Sequence, residues 1–158
     1  GDVNMGWFSS SESGDSVRPI SKERIEKIFD GQGWYYGRDD DDDVCGRWDG
    51  APFFFLFMGQ MNEILYVTSR MAEEVPMEQE AELNGVIEDW HRDRIWPKAF
   101  YAPTDDGTLR VMTEVNVDYE HGATDAQLLQ HINCSIATQL SLYDHIRETL
   151  GIEKEEDD

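Results

Sequence analysis

Apolar residues recur at helical spacing in the last third of the chain. Seven apolar residues between 128 and 150 follow one another at steps of three or four and therefore share one face of a helix. Thr124 and Gln127 have the spacing of a capping box just before this stretch. Gly151 follows it and is the residue type that favours a left-handed helix stop. The pattern predicts a long amphipathic helix over this region.

Two shorter helices are predicted upstream. The first begins at Ser21, an N-cap residue, and has Ile25, Ile28 and Phe29 on its apolar face. Glycines at positions 31 and 33 end it. The second begins near Pro76, a residue type favoured in a first helical turn, and its apolar positions between 83 and 90 share one face.

Alternation with a period of two predicts the strands. Residues 109–118 alternate apolar and polar side chains, which is typical of a strand with one buried face. Short turns between consecutive strands favour antiparallel pairing. The element order is α-β-β-β-α-β-β-α, which predicts an α+β fold with helices on one face of an antiparallel sheet. Further strands are predicted at 34–36, 64–68 and 99–101, and over 44–58 with a bend or bulge at Gly50 and Pro52.

The run at 53–58 is apolar at both strand parities. Helices can bury one face of such a strand, and the other face needs a cover as well. We therefore expect a homodimer. The aromatic face with Phe53, Phe55 and Phe57 is a candidate protein-interaction surface.

The 158 residues have the length of one domain. Residues 1–18 are predicted to form a flexible N-terminal arm because most of them are small and polar, with Gly1 interpreted as the remnant of a cleaved tag. Residues 19–151 are predicted to form the single domain, and 152–158 an acidic tail. Trp7 and Phe8 either tether the arm to the domain or form a linear docking element. The tether is favoured because exposed aromatic pairs are costly in water.

The net charge is −21, from 13 Lys and Arg against 34 Asp and Glu. This balance argues against nucleic acid and anionic membrane surfaces as partners, since both are recognised by clustered basic residues. No apolar run reaches the ~18 residues of a spanning helix, and no signal-peptide pattern is visible. We therefore expect a cytoplasmic protein in which Cys45 and Cys134 are thiols.

No sequence motif predicts catalysis or metal binding. An EF-hand loop starting at Asp39, the first of five consecutive aspartates, would have Val44 where glycine is needed and Gly50 where glutamate is needed. His131 and Cys134 share a helical face, but a structural zinc site requires four ligands. Phosphate-binding loops and serine elbows are also missing. We expect no metal, no cofactor and no enzymatic activity.

Residues 88–98 contain two of the five tryptophans and three of the thirteen Lys and Arg residues. Tryptophan and arginine dominate binding hot spots. One interpretation is structural: Trp90 ends the apolar face of the second helix, and the arginines pair with nearby carboxylates. In the other interpretation, Trp90, Arg94 and Trp96 form a protein-interaction surface. The structural interpretation is favoured, and the second stays open.

Five segments resemble the actinobacterial branch of the YbjN-like proteins: RIEKI at 24–28, GWYY at 33–36, GRWDG at 46–50, DRIWPKA at 93–99 and VDYEHGATD at 117–125. The resemblance extends over residues 20–150. It implies a fold similar to that of type III secretion chaperones, often dimeric. Because the family carries the label of regulators of bacterial sensory transduction, the resemblance implies a non-catalytic, protein-binding regulator or chaperone-like adaptor.

Three functional hypotheses follow. The first is a homodimer that binds a segment of another protein through the 53–57 face or the connection between Trp90 and Trp96. The second is a small-molecule sensor or enzyme with a pocket between helices and sheet, whose ligand would raise the melting temperature. The third is an acidic decoy that mimics nucleic acid, whose binding to basic proteins would be lost at high salt.

Overall fold

Three helices and seven strands form the part of the chain that the computed structural model describes, residues 16–156. A 3-10 turn, Met77–Gln79, precedes the second helix. The predictions for Trp7, Phe8 and the rest of residues 1–15 lie outside the described residues, as do residues 157–158. In chain order the elements are α1 (Lys22–Gln32), β1 (Gly37–Arg38), β2 (Val44–Trp48), β3 (Ala51–Met58), β4 (Ile64–Arg70), β5 (Val75–Pro76), α2 (Glu80–Asp93), β6 (Lys98–Pro103), β7 (Thr108–Asp118) and α3 (Asp125–Leu150).

The strands form one antiparallel sheet with β7 as its hub. The order is β1-β2-β3-β4-β7, and β7 pairs with both β4 and β5 along one edge. The other edge of β7 pairs with β6. This mixed α+β architecture confirms the predicted fold class.

The helix boundaries follow the capping residues. Ser21 Oγ accepts a hydrogen bond from Arg24 N at 3.2 Å at the start of α1. At the start of α3, Gln127 N donates to Thr124 Oγ1 at 3.0 Å, and Thr124 N donates to Gln127 Oε1 at 2.8 Å. The capping box predicted from the sequence is therefore formed, and Gly151 ends α3 with φ of 70°.

The segment over 44–58 is a hairpin, and the prediction of a single bent strand is wrong. Asp49 and Gly50 have φ values of 50° and 80°, as a two-residue turn between twisted strands requires, and Asp-Gly is a favoured sequence for that turn. Pro52 lies within β3 and pairs with Arg47.

The predicted strand at 34–36 is also misplaced, since pairing with β2 occurs at Gly37–Arg38. Trp34 and Tyr36 instead pack on the Phe29 ring, with centroids 5.7 and 5.6 Å away. Aromatic packing against α1 thus replaces strand pairing for these residues.

All three helices pack on the same face of the sheet. The Phe29 ring of α1 meets that of Phe55 on β3, with centroids 4.9 Å apart. Gln139 of α3 bonds to Thr113 of β7 at 2.8 Å, and Glu80 of α2 lies next to the Tyr101 hydroxyl of β6. These strand residues share one parity and line a single core. No helix within residues 16–156 is long and apolar enough to cross a membrane.

The other face of the sheet has no helix over it within the described part of the chain. It presents partly exposed apolar side chains from four strands, together with the Arg70 guanidinium over the Phe54 ring. The apolar side chains at its centre are Phe54, Leu56, Tyr66, Met112 and Phe100. This surface is called the open face below.

Candidate functional site

A groove of about 500 Å³ lies between the first half of α3 and the second half of β7. Val115 and Val117 line it from β7, because the alternation of that strand points them to the helix side. Ala126 and Cys134 line it from α3, and Tyr119 lines it just past the end of β7. The lining is mainly apolar, which is typical of a surface that binds apolar side chains. This feature is called the α3–β7 groove below.

Trp96 forms the wall of the groove opposite α3. Its side chain is 47% exposed, although its main chain is held in place: the Trp90 indole Nε1 donates to the Trp96 carbonyl oxygen at 3.0 Å. The Arg94 guanidinium stacks 4.4 Å from the Trp90 ring centroid. The buried Trp90 therefore supports a short connection that keeps Trp96 at the groove.

His131 is held in one tautomer within the groove. Its Nε2 lies 3.0 Å from the Val115 carbonyl oxygen, which can only accept, so Nε2 carries the proton. Its Nδ1 then accepts from the Tyr119 hydroxyl at 3.1 Å. Burial lowers the pKa of His131 and raises that of Tyr119 to about 12. Both rings are neutral at physiological pH and join α3 to β7.

Cys134 lies one helical turn after His131, and burial raises the pKa of its thiol. A raised pKa keeps this cysteine protonated and weakly nucleophilic. Both nitrogens of His131 already have partners, so the pair lacks the arrangement of a nucleophile with its base. The groove is chemically suited to binding.

One edge of β7 is open beside the groove. β6 begins at Lys98, opposite Glu114, whereas β7 continues to Asp118. Within residues 16–156, positions 115–118 thus have no strand neighbour on the β6 side. Unpaired strand edges are templates for a further strand. Here such an edge lies beside apolar lining on Val115 and Val117.

Positive charge borders the groove on the far side of Trp96. A second hollow there, of about 350 Å³, is lined in part by Arg94, Lys98 and Glu114. Lys98 Nζ lies 2.9 Å from a carboxylate oxygen of the buried Glu114, whose pKa burial raises. Arg94 has no carboxylate within ion-pair distance among the residues that the structure describes. Its charge is thus available in a strongly acidic chain.

The structure separates the two sequence-predicted surfaces. Phe53 and Phe55 are 0% exposed beneath the helices, so the expectation that they form an accessible face is wrong. Their parity is the helix-facing one, and Phe57 also packs against the core. The remaining predicted residues, Trp90, Arg94 and Trp96, do lie together beside the groove.

Several groove residues were not recognised as site residues from the sequence. His131 and Cys134 drew attention only as metal ligands, and Val115 and Val117 only as buried strand positions. Their common location depends on how α3 crosses β7, which no local pattern specifies. The Tyr119 hydroxyl likewise reaches His131 only through this long-range packing.

The aspartate loop between β1 and β2 is organised by its own hydrogen bonds. Asp39 Oδ1 accepts from the backbone N–H groups of Asp41 and Asp43 at 3.0 and 2.9 Å. Arg38 lies 3.1 Å from the Asp42 carboxylate and lowers its pKa. The carboxylates of residues 39, 41 and 43 lie within 4.8 Å of one another. Exposed acidic loops commonly have this geometry without an ion, and it supports no metal site.

These features define a small mixed α+β domain with a groove between its helices and one strand edge. The model of the YbjN family, described as "putative bacterial sensory transduction regulator", matches residues 21–148. The chain therefore belongs to the YbjN family.

Two solved structures show the same fold. The crystal structure of YbjN from E. coli, described as "a putative transcription regulator", has a TM-score of 0.68 and 12% sequence identity, covering 85% of this chain and 97% of that one. An uncharacterised protein from Methanothermobacter thermautotrophicus has a TM-score of 0.58 and 12% identity, covering 84% of this chain and 100% of the other. A comparison with curated proteins finds no match. At these identities the structures establish the fold alone.

Proposed function

We propose that this protein is a non-catalytic regulator that binds an extended, apolar segment of another protein in the α3–β7 groove. The observation that carries the proposal is the open edge of β7 at 115–118, which lies directly beside an apolar groove. The family description supports a regulatory role. The engaged nitrogens of His131 support binding over catalysis.

Strand addition explains how such a segment would bind. A partner strand pairing with residues 115–118 would gain main-chain hydrogen bonds over about 13 Å. Alternate side chains of that strand would point to the helix side and enter the groove between Trp96 and α3. Affinity would come from the backbone, and selectivity from the side chains that contact Trp96, Val117 and Tyr119.

The charge around the groove indicates the chemistry of the partner. A segment with a carboxylate near its apolar residues would find Arg94, whose guanidinium lies at the rim over Trp90. The chain as a whole, with a net charge of −21, repels acidic segments. The positive charge of Arg94 at the rim therefore determines where the carboxylate of the partner segment binds. The proposal keeps the cytoplasm as the compartment, which cell fractionation tests.

Affinity capture from a lysate of the source organism tests this function. We expect one partner that stays bound at high salt, is lost with Trp96→Ala and is retained with Tyr35→Ala. Tyr35 is the matched control because its side chain is 96% exposed and lies outside the groove. A partner indifferent to Trp96→Ala would contradict the proposal. Basic proteins that wash off with salt would instead support the acidic decoy.

The second candidate function is a small-molecule sensor. The groove volume of about 500 Å³ falls within the range of roughly 300–1,000 Å³ that ligand pockets occupy, and the groove lies between helix and sheet. A thermal-shift screen of metabolites tests this candidate. A ligand that raises the Tm of the native chain but not of a Val117→Glu variant would favour the sensor over the protein-binding regulator.

A further inference from the structure

The described chain begins close to residues that line the α3–β7 groove. Arg18 N donates to the Ala123 carbonyl at 3.2 Å, and Ala123 N donates to the Arg18 carbonyl at 2.9 Å. This bridge is antiparallel and isolated. It places Arg18 next to the start of α3, whose first turn contributes Ala126 and Gln127 to the groove lining. Val17 lines a neighbouring hollow that shares Tyr119 with the groove.

The start of the described chain is held next to α3 by a polar anchor. The Arg24 guanidinium donates to the Arg18 carbonyl at 2.7 Å, to the Ala123 carbonyl at 2.9 Å and to the Asp125 carboxylate at 2.7 Å. Gly122 has φ of 85°, and a Cβ there would lie 2.9 Å from the Arg18 carbonyl oxygen. The close approach of the two segments thus requires glycine at position 122.

The upstream chain carries one apolar element within reach of the groove. Trp7 and Phe8 are adjacent, and seven residues lie between Phe8 and Ser16, a span of eight Cα–Cα steps. An extended chain of that length reaches about 26–29 Å, roughly twice the radius of gyration of a domain of this size. Residues 9–15 are mostly small and polar and suit a linker.

We propose that Trp7 and Phe8 of this same chain occupy the α3–β7 groove when no partner is bound. Without an occupant, the apolar surfaces of Trp96, Val117 and Tyr119 would be exposed to water. The rings of Trp7 and Phe8 are large and apolar enough to cover them. Because the arm is tethered, its effective concentration at the groove is in the millimolar range. The arm therefore competes with a partner. The competition with a partner rests on the proposed function, whereas the contact of Trp7 and Phe8 with the groove does not.

The two native thiols report on the contact without any added probe site. Cys134 lines the groove, and Cys45 lies on β2, paired with Phe54 of the open face. Both are partly buried free cysteines. The alkylation rate of Cys134 relative to that of Cys45, measured by peptide mass spectrometry, therefore isolates changes at the groove.

The experiment compares iodoacetamide labelling of the full chain with that of a Trp7→Ala, Phe8→Ala double variant. We expect the double variant to raise the Cys134 rate several-fold and to leave the Cys45 rate unchanged. A Ser9→Ala, Ser10→Ala variant is the matched control and should behave as the unmodified chain. Equal Tm values of the three chains check that the variants retain the fold.

An equal Cys134 rate in the double variant would overturn the proposal. Protection that grows with protein concentration would also overturn it, because the arm would then come from a second copy. If partner capture fails while Cys134 is deprotected as expected, the contact stands and the regulatory function fails. The two failures are therefore distinguishable.

Discussion

A cluster of hydrogen-bonded side chains lies inside the core between α3 and the sheet. The Tyr143 hydroxyl is 2.7 Å from both Ser69 Oγ and Thr113 Oγ1. Gln139 Oε1 accepts from Ser69 and Thr113, and its Nε2 donates to the Val67 carbonyl at 3.0 Å. Because each buried group has a partner, the cluster fixes α3 on β4 and β7 at little energetic cost.

Gln139→Ala is expected to lower the free energy of unfolding by about 2–4 kcal/mol, because it leaves buried hydroxyls with fewer partners and opens a cavity. Urea unfolding measures the change. Gln130→Ala is the control on the exposed side of the same helix, with an expected change within about 0.5 kcal/mol. Equal effects of the two substitutions would show that the buried cluster contributes no special stability.

His131 predicts a pH dependence of stability. Its pKa in the folded state is lowered from 6.5 by burial, so the unfolded chain binds a proton more readily. The contribution of His131 is therefore complete above pH 6.5 and is lost as pH falls through 6.5 toward the folded pKa. Urea unfolding at pH 7.5 and 5.5 measures the effect. The free energy of unfolding should fall less between these pH values for His131→Gln than for the unmodified chain.

The matched control for this pH effect is His121→Gln. The His121 side chain is exposed and lies outside the α3–β7 groove, so its substitution should leave the pH dependence as it is in the unmodified chain. If His131→Gln loses as much free energy of unfolding at low pH as the unmodified chain, groups other than His131 cause the pH dependence.

The connection between α2 and β6 assigns different roles to its two tryptophans. Trp90 is 7% exposed and bonds to the Trp96 main chain, so Trp90→Ala should cost about 3–5 kcal/mol of stability. Trp96→Ala, alone or with Arg94→Ala, should leave Tm within a few degrees and weaken partner capture. Differential scanning calorimetry of the variants checks this. A large fall in Tm with Trp96→Ala would support the structural interpretation of this segment.

At the scale of elements, local signals predicted most of the fold. The caps at Ser21 and Thr124 and the stop at Gly151 placed two helices, since capping residues act within a few positions. The hairpin between β2 and β3 was missed because Asp49 and Gly50 were taken as an interruption of one strand, although Asp-Gly is a turn signal. The choice between one bent strand and a hairpin depends on strand pairing, which the sequence of residues 44–58 does not show by itself.

The candidate site was only partly predictable. Trp96 and Arg94 stood out because tryptophan and arginine dominate binding hot spots. Phe53 and Phe55 were misassigned because an all-apolar strand does not show which parity faces the helices. The open edge at 115–118 could not be predicted, since it depends on where β6 begins to pair.

Within the described part of the chain, no helix covers the open face. The homodimer stays a prediction, and the open face is where a second copy would pack, because apolar side chains from four strands meet there in a chain of net charge −21. Leu56→Glu should convert the dimer to a monomer, as measured by light scattering. Tyr35→Glu adds the same charge elsewhere and should remain dimeric. A monomeric unmodified chain at high micromolar concentration would refute the prediction.

The proposed binding function depends on the open edge of β7. Hydrogen–deuterium exchange of the chain, alone and with its captured partner, tests this edge most directly. Strand addition predicts slower exchange of the backbone amides of Asn116 and Asp118, which face the open edge of β7, with β3 and β4 unchanged. Slower exchange confined to β3 and β4, with residues 115–118 unaffected, would contradict the account and place the partner on the open face.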